Sequence, residues 1–435
     1  MESLSYSIKK TNRSISFIEW VVAIAVAYAT TFTILESFLG EFFPLLRSVS
    51  GIMRSVIVLL LLFFQIRLYG LHIREKKFFF FFLTYSLFLV FYLFVSPKYK
   101  MEDLYGVPGA SSGSTFAFFY RSILIVGYIL SAETIIKHLS VKKYILVSFL
   151  SAVIPSISFI QYVGVDTIQY LKHLDDDAFS LLALGYCNST LLVLEILFFK
   201  KFVSDGLLST LFSCVVIISV VYILFVGGER GPIIWAFVNL CICFYILSKK
   251  VFRYLICLAI ISIFLFINID MIIETLRPYV PRAAEKLELT FKEGDTNGRF
   301  DMDNEEGSTY IIGLKQFASS PIYGSNFRLI TYRYFRGHYP HNVFIEMLIT
   351  MGLLGTIPFI LLLLKAYKKV LKVIKRGNLQ DPQLCCLVIF LGVFLQLQTS
   401  WSIVANAAFW TFFYIMCIFD LKIVERKPNK VFMNL

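Results

Sequence analysis

His341 is followed directly by Asn342, with Glu346 one helical turn further on and His338 just before it. A neutral imidazole is the commonest general base near pH 7. Set at a helix N-terminus, it meets a positive dipole that lowers its pKa and keeps it unprotonated. Asn342 and Glu346 are placed to orient such a ring. Two histidines are also metal-ligand types, but neither a cysteine nor a compact acid cluster joins them, so general base is the preferred reading and a metal site the second. Four arginines form the other chemical set: Arg54, Arg121, Arg230 in the run Gly227-Gly228-Glu229-Arg230-Gly231-Pro232, and Arg299. A guanidinium offers a fork of donors that matches phosphate oxygens. Converging arginines therefore point to a di- or polyphosphate headgroup. The alternative for each is a lipid phosphate or a nearby carboxylate such as Glu229. Asp175-Asp176-Asp177 could hold a divalent cation, although such a run is more often a solvated helix start. A phosphate-binding glycine loop, a nucleophile-elbow serine and a His-Glu-x-x-His motif are all missing, which argues against ATP-driven transport.

What carries these residues is an apolar chain. Of 435 residues, 58% are hydrophobic, 17% aromatic and only 16% charged, with a mean hydropathy of +0.74. A soluble domain carries about 25% charged residues. Apolar runs long enough to cross the hydrocarbon core fall near 17–35, 50–66, 78–96, 115–134, 144–163, 180–198, 207–226, 232–248, 254–272, 343–364, 384–400 and 404–420. The expectation is an all-α polytopic membrane protein of about 12 spans, residues 1–435 forming a single integral-membrane domain. Its first span reads as uncleaved, being long and followed by many more.

The net charge of +12 belongs to orientation, not to nucleic acid. Lys9, Lys10 and Arg13 precede span one. Arg67, Arg74, Lys76 and Lys77 follow span two, and Lys137, Lys142 and Lys143 follow span four. Lys200 and Lys201 follow span six, and Lys249, Lys250 and Arg253 follow span eight. Lys365, Lys368, Lys369, Lys372, Lys375 and Arg376 follow span ten. Every second connection is basic, the positive-inside pattern. Both termini are thereby expected in the cytoplasm, with anionic lipid headgroups as partners of the charge. The eight cysteines (187, 214, 241, 243, 257, 385, 386, 417) all fall inside spans, so no disulfide framework is implied.

The same topology places Arg54, Arg121, Arg230 and Arg299 on the outer side, against the positive-inside bias, where a charge in or near a span marks function. It also puts residues 273–341 outside as one long polar loop holding nine basic and nine acidic side chains. Within it, Tyr310, Ile311, Leu314 and Phe317 fall at helical spacing before Ser319-Ser320-Pro321, predicting a short helix that lays an apolar stripe on the body. Gly324 marks a turn after it. A structured loop of this length is usually functional. Elsewhere, the run Phe78–Phe82 reads as a lipid-facing start of span three.

At these residues the chain resembles the O-antigen ligase and O-antigen polymerase superfamily of bacterial envelopes. The resemblance rests on Gly228-Glu229-Arg230-Gly231 before an apolar span, then Gly298-Arg299 in a long outer loop. It continues through the helix ending at Ser320-Pro321-Ile322-Tyr323-Gly324, then His341-Asn342-x-x-x-Glu346 running into Met351-Gly352-Leu353-Leu354-Gly355. It covers roughly 207–364, with Glu229 and Asn326 at positions where the family carries small residues. The resemblance implies an integral-membrane glycosyltransferase of the GT-C type, working on the outer face of the bacterial inner membrane without nucleotide sugar, metal or cofactor. The donor would be a glycan on undecaprenyl diphosphate and the acceptor a glycan or lipid A-core, with a chain-length regulator protein as a further partner. Arg230 and Arg299 would bind the diphosphate and stabilise its charge as the sugar leaves. His341 would deprotonate the acceptor hydroxyl, with inversion at the anomeric carbon. Arg54 and Arg121 join as further diphosphate or acceptor contacts.

A polymerase extends the lipid-linked glycan with repeat units, whereas a ligase moves the finished glycan to lipid A-core. The even charge of the long loop favours the polymerase, since a ligase must also meet an acidic core. A transporter such as a lipid-linked oligosaccharide flippase is the rival from another class. It would place ionisable groups near the midplane and show repeated halves, whereas here the charges gather at one face and no duplication is visible.

Overall fold

The structure is a computed structural model that describes residues 2–32, 34–36, 38, 44–95, 113–163, 181–227, 230–247, 267–278, 284–285, 288, 309–324, 342–377, 379–399, 403 and 406–420. Among the described residues every regular element is helical and there is no strand. This follows from the apolar composition, because a backbone in hydrocarbon must satisfy its own hydrogen bonds.

The first three apolar runs form α1 (Glu2–Thr30), α2 (Pro44–Tyr69) and α3 (Lys76–Val95). The fourth is broken at Ser131 into α4 (Gly113–Leu130) and α5 (Ala132–His138), bent by 57°. The fifth runs from α6 (Val141–Ser148) through one π-helical turn (Phe149–Val153) into α7 (Ile154–Val163). Runs six to eight are α8 (Leu181–Ser204), α9 (Leu207–Gly227) and α10 (Arg230–Leu247). The ninth run lies mostly outside the described residues; its end enters α11 (Ile269–Leu276). The loop helix is α12 (Thr309–Ser319), followed by α13 (Val343–Lys375), α14 (Asp381–Gln396) and α15 (Ala407–Cys417).

By length and composition four of these could cross a membrane: α2, the α6–α7 rod, α9 and α13. The number becomes five if the bent α4–α5 pair is one span. Shorter apolar stretches lie in α1, α10, α14 and α15. Leu208 is 83% exposed, Ile218 69% and Leu59 64%, a surface of aliphatic side chains that suits lipid rather than water. These features fit a helical membrane protein.

The helix α15 is apolar on every side and buried from Ala408 to Cys417, as expected of a helix enclosed by others. Its Trp410 meets Phe82 and Tyr85, each at 5.1 Å between ring centroids. Phe78 stands edge-on to Phe413 at 4.9 Å. The phenylalanine run is therefore not the lipid-facing surface the sequence suggests. Phe78 and Phe82 are one helical turn apart and both buried, while Phe80 turns outward.

Ion pairs tie the basic connections to one another. Arg74 and Lys137 both hold Glu133, Lys143 holds Glu19, Lys142 holds Asp205 and Lys201 holds Asp381. Lys365 holds Glu75, while Lys369 and Lys372 share Asp420. Helices α2 and α4 run parallel: Tyr120 Oη donates to Gly51 O, Gly127 lies against Val58, and Thr134 N donates to Gln65 Oε1. That direction is what alternating spans two and four require. One ionisable side chain breaks the pattern. Glu195 is fully buried within α8, hydrogen-bonded to Ser213 Oγ of α9, an ionisable group inside a span that the one-face description of charge overlooks.

The tenth apolar run, read as one continuous span over 343–364, is interrupted. Gly352 has φ 58° and ψ −157°, a conformation that residues with a Cβ rarely adopt. The break frees the amides beyond it. Leu353 N donates to Pro321 O at 2.9 Å and Leu354 N to Ile322 O at 3.0 Å, both acceptors being in the turn after α12. Gly324, at φ 75°, closes that turn, its N donating to Ser320 O at 2.9 Å. The two glycines face each other. A Cβ on Gly324 would come within 2.6 Å of Ile349 O and 2.7 Å of Gly352 N, and one on Gly352 within 2.5 Å of Gly324 N. The loop thus docks by backbone into the broken helix. The predicted helix 310–317 is present, and Tyr310, Ile311 and Phe317 of the predicted stripe are half-buried, but Leu314 is exposed; Gly313 is buried and Ile312 packs on Ile349.

Because the colliding atoms are backbone, they cannot swing aside. Gly324→Ala and Gly352→Ala should each cost about 2 kcal/mol or more. Gly377→Ala, at φ 67° but with open space around it, should cost only about 1–2 kcal/mol of backbone strain. Thermal unfolding of the three variants in detergent checks this. A Gly377→Ala loss equal to the other two would show that the docking contact adds nothing.

Candidate functional site

Asn342 is the N-cap of α13. Its Oδ1 accepts from Phe344 N at 3.0 Å and Ile345 N at 3.2 Å, satisfying two of the four amides that a helix start leaves open. Because Gly352 ends the first segment, residues 343–351 form a half-helix about 13 Å long. The stretch from Leu353 onward is long enough by itself to cross the core. The half-helix is fixed at its N-terminal end by a second contact: the buried Glu346 carboxylate accepts from Ile403 N at 3.2 Å. A carboxylate in the first turn also suits the dipole. His341 lies immediately before this cap and outside the described residues, as do His338, Arg299 and Asp175-Asp176-Asp177.

The turn between α14 and α15 is the hub of this end. Tyr310 Oη of α12 donates to Gln398 O at 3.1 Å. Asn342 Nδ2 donates to Gln398 Oε1 at 3.4 Å, and Gln398 Nε2 itself donates to Phe394 O at 3.0 Å. The next residue, Thr399, takes Trp235 Nε1–H from α10 on its Oγ1 at 2.7 Å, and Tyr186 Oη of α8 lies at 2.8 Å from the same atom. Ile403, beyond it, gives its amide to Glu346 and accepts from Trp410 Nε1 at 2.9 Å.

Arg230 opens α10. The next residue, Gly231, is packed so closely on Tyr186 that an added Cβ would fall on its hydroxyl and lie 3.1 Å from Cζ. Pro232 presses on Gly185, where a Cβ would come within 2.6 Å of the proline ring. The backbone of the Arg230 turn is therefore seated on Tyr186, which is bonded to Thr399, neighbour of the residue that holds Asn342. Of the sequence-derived residues, the structure brings the Arg230 turn, Asn342 and Glu346 into one network.

Arg54 and Arg121 belong to a second cluster on α1, α2 and α4. Arg54 Nη2 donates to Glu36 Oε2 at 2.5 Å, and Ser50 Oγ donates to the other oxygen of Glu36. The guanidinium also stands 6.0 Å from the Tyr28 ring centroid, within cation–π range. Tyr120 Oη is shared between Ser55 Oγ at 2.5 Å and Gly51 O at 2.6 Å, which sets Arg121, exposed, beside the helix that carries Arg54. Any anion binding Arg54 has to compete with Glu36.

Gln398, Thr399, Tyr186 and Trp235 were not singled out in the sequence. Gln398 and Thr399 fall within the apolar run 384–400 as read from the sequence, and the only signal against that was the polar stretch Gln398-Thr399-Ser400-Trp401-Ser402 at its end. Among the described residues no group of three or more His, Cys, Asp or Glu side chains is placed to hold a metal ion. Comparison with protein-family models, with curated proteins and with solved structures finds no match for this chain.

The seating of Gly231 can be tested by suppression. Gly231→Ala should lower the midpoint of thermal unfolding, because the tyrosine ring is rigid and its hydroxyl is held. Combining it with Tyr186→Phe, which removes that oxygen, should recover at least half of the loss. Strictly additive losses in the double variant would mean that the two residues are not in contact.

Proposed function

We propose that the protein is an outward-facing membrane glycosyltransferase of the GT-C type, with about 12 spans and both termini in the cytoplasm, in a bacterial inner membrane. It polymerises oligosaccharide repeat units carried on undecaprenyl diphosphate. The observation that carries the reading is the meeting of motif segments that are far apart in sequence. The Ser320–Gly324 turn docks into Met351–Gly355, Asn342 caps the half-helix between them, and the Arg230 turn reaches the same network through Tyr186 and Thr399.

Each residue then has a defined task. Arg230 and Arg299 hold the diphosphate of the donor and take up the charge that grows on it as the anomeric C–O bond breaks, an interaction strongest in the transition state. His341 accepts the proton of the acceptor hydroxyl as that oxygen attacks the anomeric carbon from the opposite face. The electron pair of the broken bond leaves with undecaprenyl diphosphate, and the configuration at carbon inverts. His341 directly precedes Asn342, the cap of the half-helix. Asn342 and Glu346 fix that helix start, Arg54 and Arg121 line the approach, and neither metal nor cofactor takes part.

Replacing His341 with alanine should reduce chain extension about 10²–10⁴-fold while protein abundance stays at the wild-type level. Glycan profiles of cells carrying the variant check this. Single repeat units on lipid A-core are the polymerase outcome. Long chains stranded on undecaprenyl diphosphate would instead mark the ligase reaction, and normal chain length would remove His341 from the mechanism.

A further inference from the structure

Two neighbouring residues, Gln398 and Thr399, link two pairs of elements that pack together on their own, α12 with α13 and α8 with α10. Gln398 holds α12 through its carbonyl and the α13 cap through its side chain. Thr399 holds α8 and α10 through one hydroxyl oxygen. The partners are not incidental. Tyr186 is the surface on which Gly231 sits, and Asn342 is the residue after His341. Covalent geometry fixes the distance between adjacent residues, so the pair acts as a spacer of one peptide unit between the two sides of the site.

We infer that Gln398-Thr399 is the positioning element of the outer site, holding the Arg230 turn and the Asn342 cap at a set separation. This rests on the glycosyl-transfer reading for its consequence, though not for the coupling itself. A diphosphate held at one side and an acceptor hydroxyl deprotonated at the other must keep reacting atoms near 3–3.5 Å apart, and misplacement by about 1 Å costs about 10²-fold. Thr399 does this without touching substrate. Its hydroxyl can accept from Trp235 and still exchange a hydrogen bond with Tyr186, joining two helices at a point where a valine of the same shape would join neither.

The test compares Thr399→Val with Thr399→Ser in the full-length protein in lipid nanodiscs. Amide hydrogen exchange is read first. Thr399→Val should speed exchange in the first turns of both α10 and α13, and Thr399→Ser should leave both within about twofold of wild type. Faster exchange in only one segment, or in neither, overturns the coupling. Extension of the lipid-linked repeat unit extracted from the host is read second. Thr399→Val should lower kcat about tenfold with KM changed less than about twofold, and Thr399→Ser should restore it. Unchanged kcat in Thr399→Val overturns the positioning role even if exchange responds. If the wild-type protein itself extends nothing while exchange responds in both segments, the coupling stands and the polymerase reading falls.

Discussion

The contact between the backbones of Gly324 and Gly352 constrains more of this structure than any other. A transmembrane helix ordinarily satisfies its own amides and has no backbone groups to offer a loop. Here Gly352 leaves the helical region, and Leu353 and Leu354 give their amides to Pro321 and Ile322. The exchange conserves hydrogen bonds, so the break costs conformational strain but leaves those two donors satisfied. It requires glycine on both sides, because either Cβ would overlap backbone atoms. What it provides is direction. The half-helix Val343–Met351 is released from the axis of the spanning segment, and its capped end can address the turn between α14 and α15.

The α13 side of the polar network lies on this half-helix. Glu346 is buried, and a carboxylate in such a place is stable only with donors at hand. Ile403 N supplies one, which in turn fixes the turn that carries Gln398 and Thr399. The network is therefore built from the loop inward. The docked turn sets α12 through Ile312 and Gly313, α12 brings Tyr310 to Gln398, and Thr399 gathers α8 and α10. At the opposite end the charges need no such scaffold. There the basic connections neutralise acids from neighbouring connections, and pairs of this partly exposed kind contribute about 1 kcal/mol or less each.

How much of this could be read beforehand varies with the physics involved. Helix positions were legible because hydrocarbon burial needs long apolar runs, and α2, α3, α8, α9, α10 and α14 fall close to where those runs lie. The loop helix and the turn at Gly324 were legible from helical spacing and a glycine. The facing of the Phe78–Phe82 run was not, since five identical residues carry no periodicity; the aromatic side chains of α15 (Trp410, Phe413 and Tyr414), more than 300 positions away, decide which of them turn inward. The break at Gly352 was hidden for a related reason: glycine is common in transmembrane helices, and its partner lies in another segment. The partner of Arg54 proved to be Glu36, a carboxylate eighteen residues earlier in the chain.

The distribution of polar groups also bears on which class of machine this is. A transporter needs a site near the midplane that opens to either side. Glu195 is the one described residue with something of that character, yet its carboxylate meets a serine hydroxyl from the adjacent helix. A neutral acid can occupy such a position as an ordinary interhelical hydrogen bond of modest worth. The network around the α14–α15 turn is different in kind. It joins five separate helices through side chains that converge on one short turn, and it includes the start of α13, whose first amides are capped by Asn342. Its hydrogen bonds are distributed over several helices, so no single helix can shift without breaking contacts made by the others.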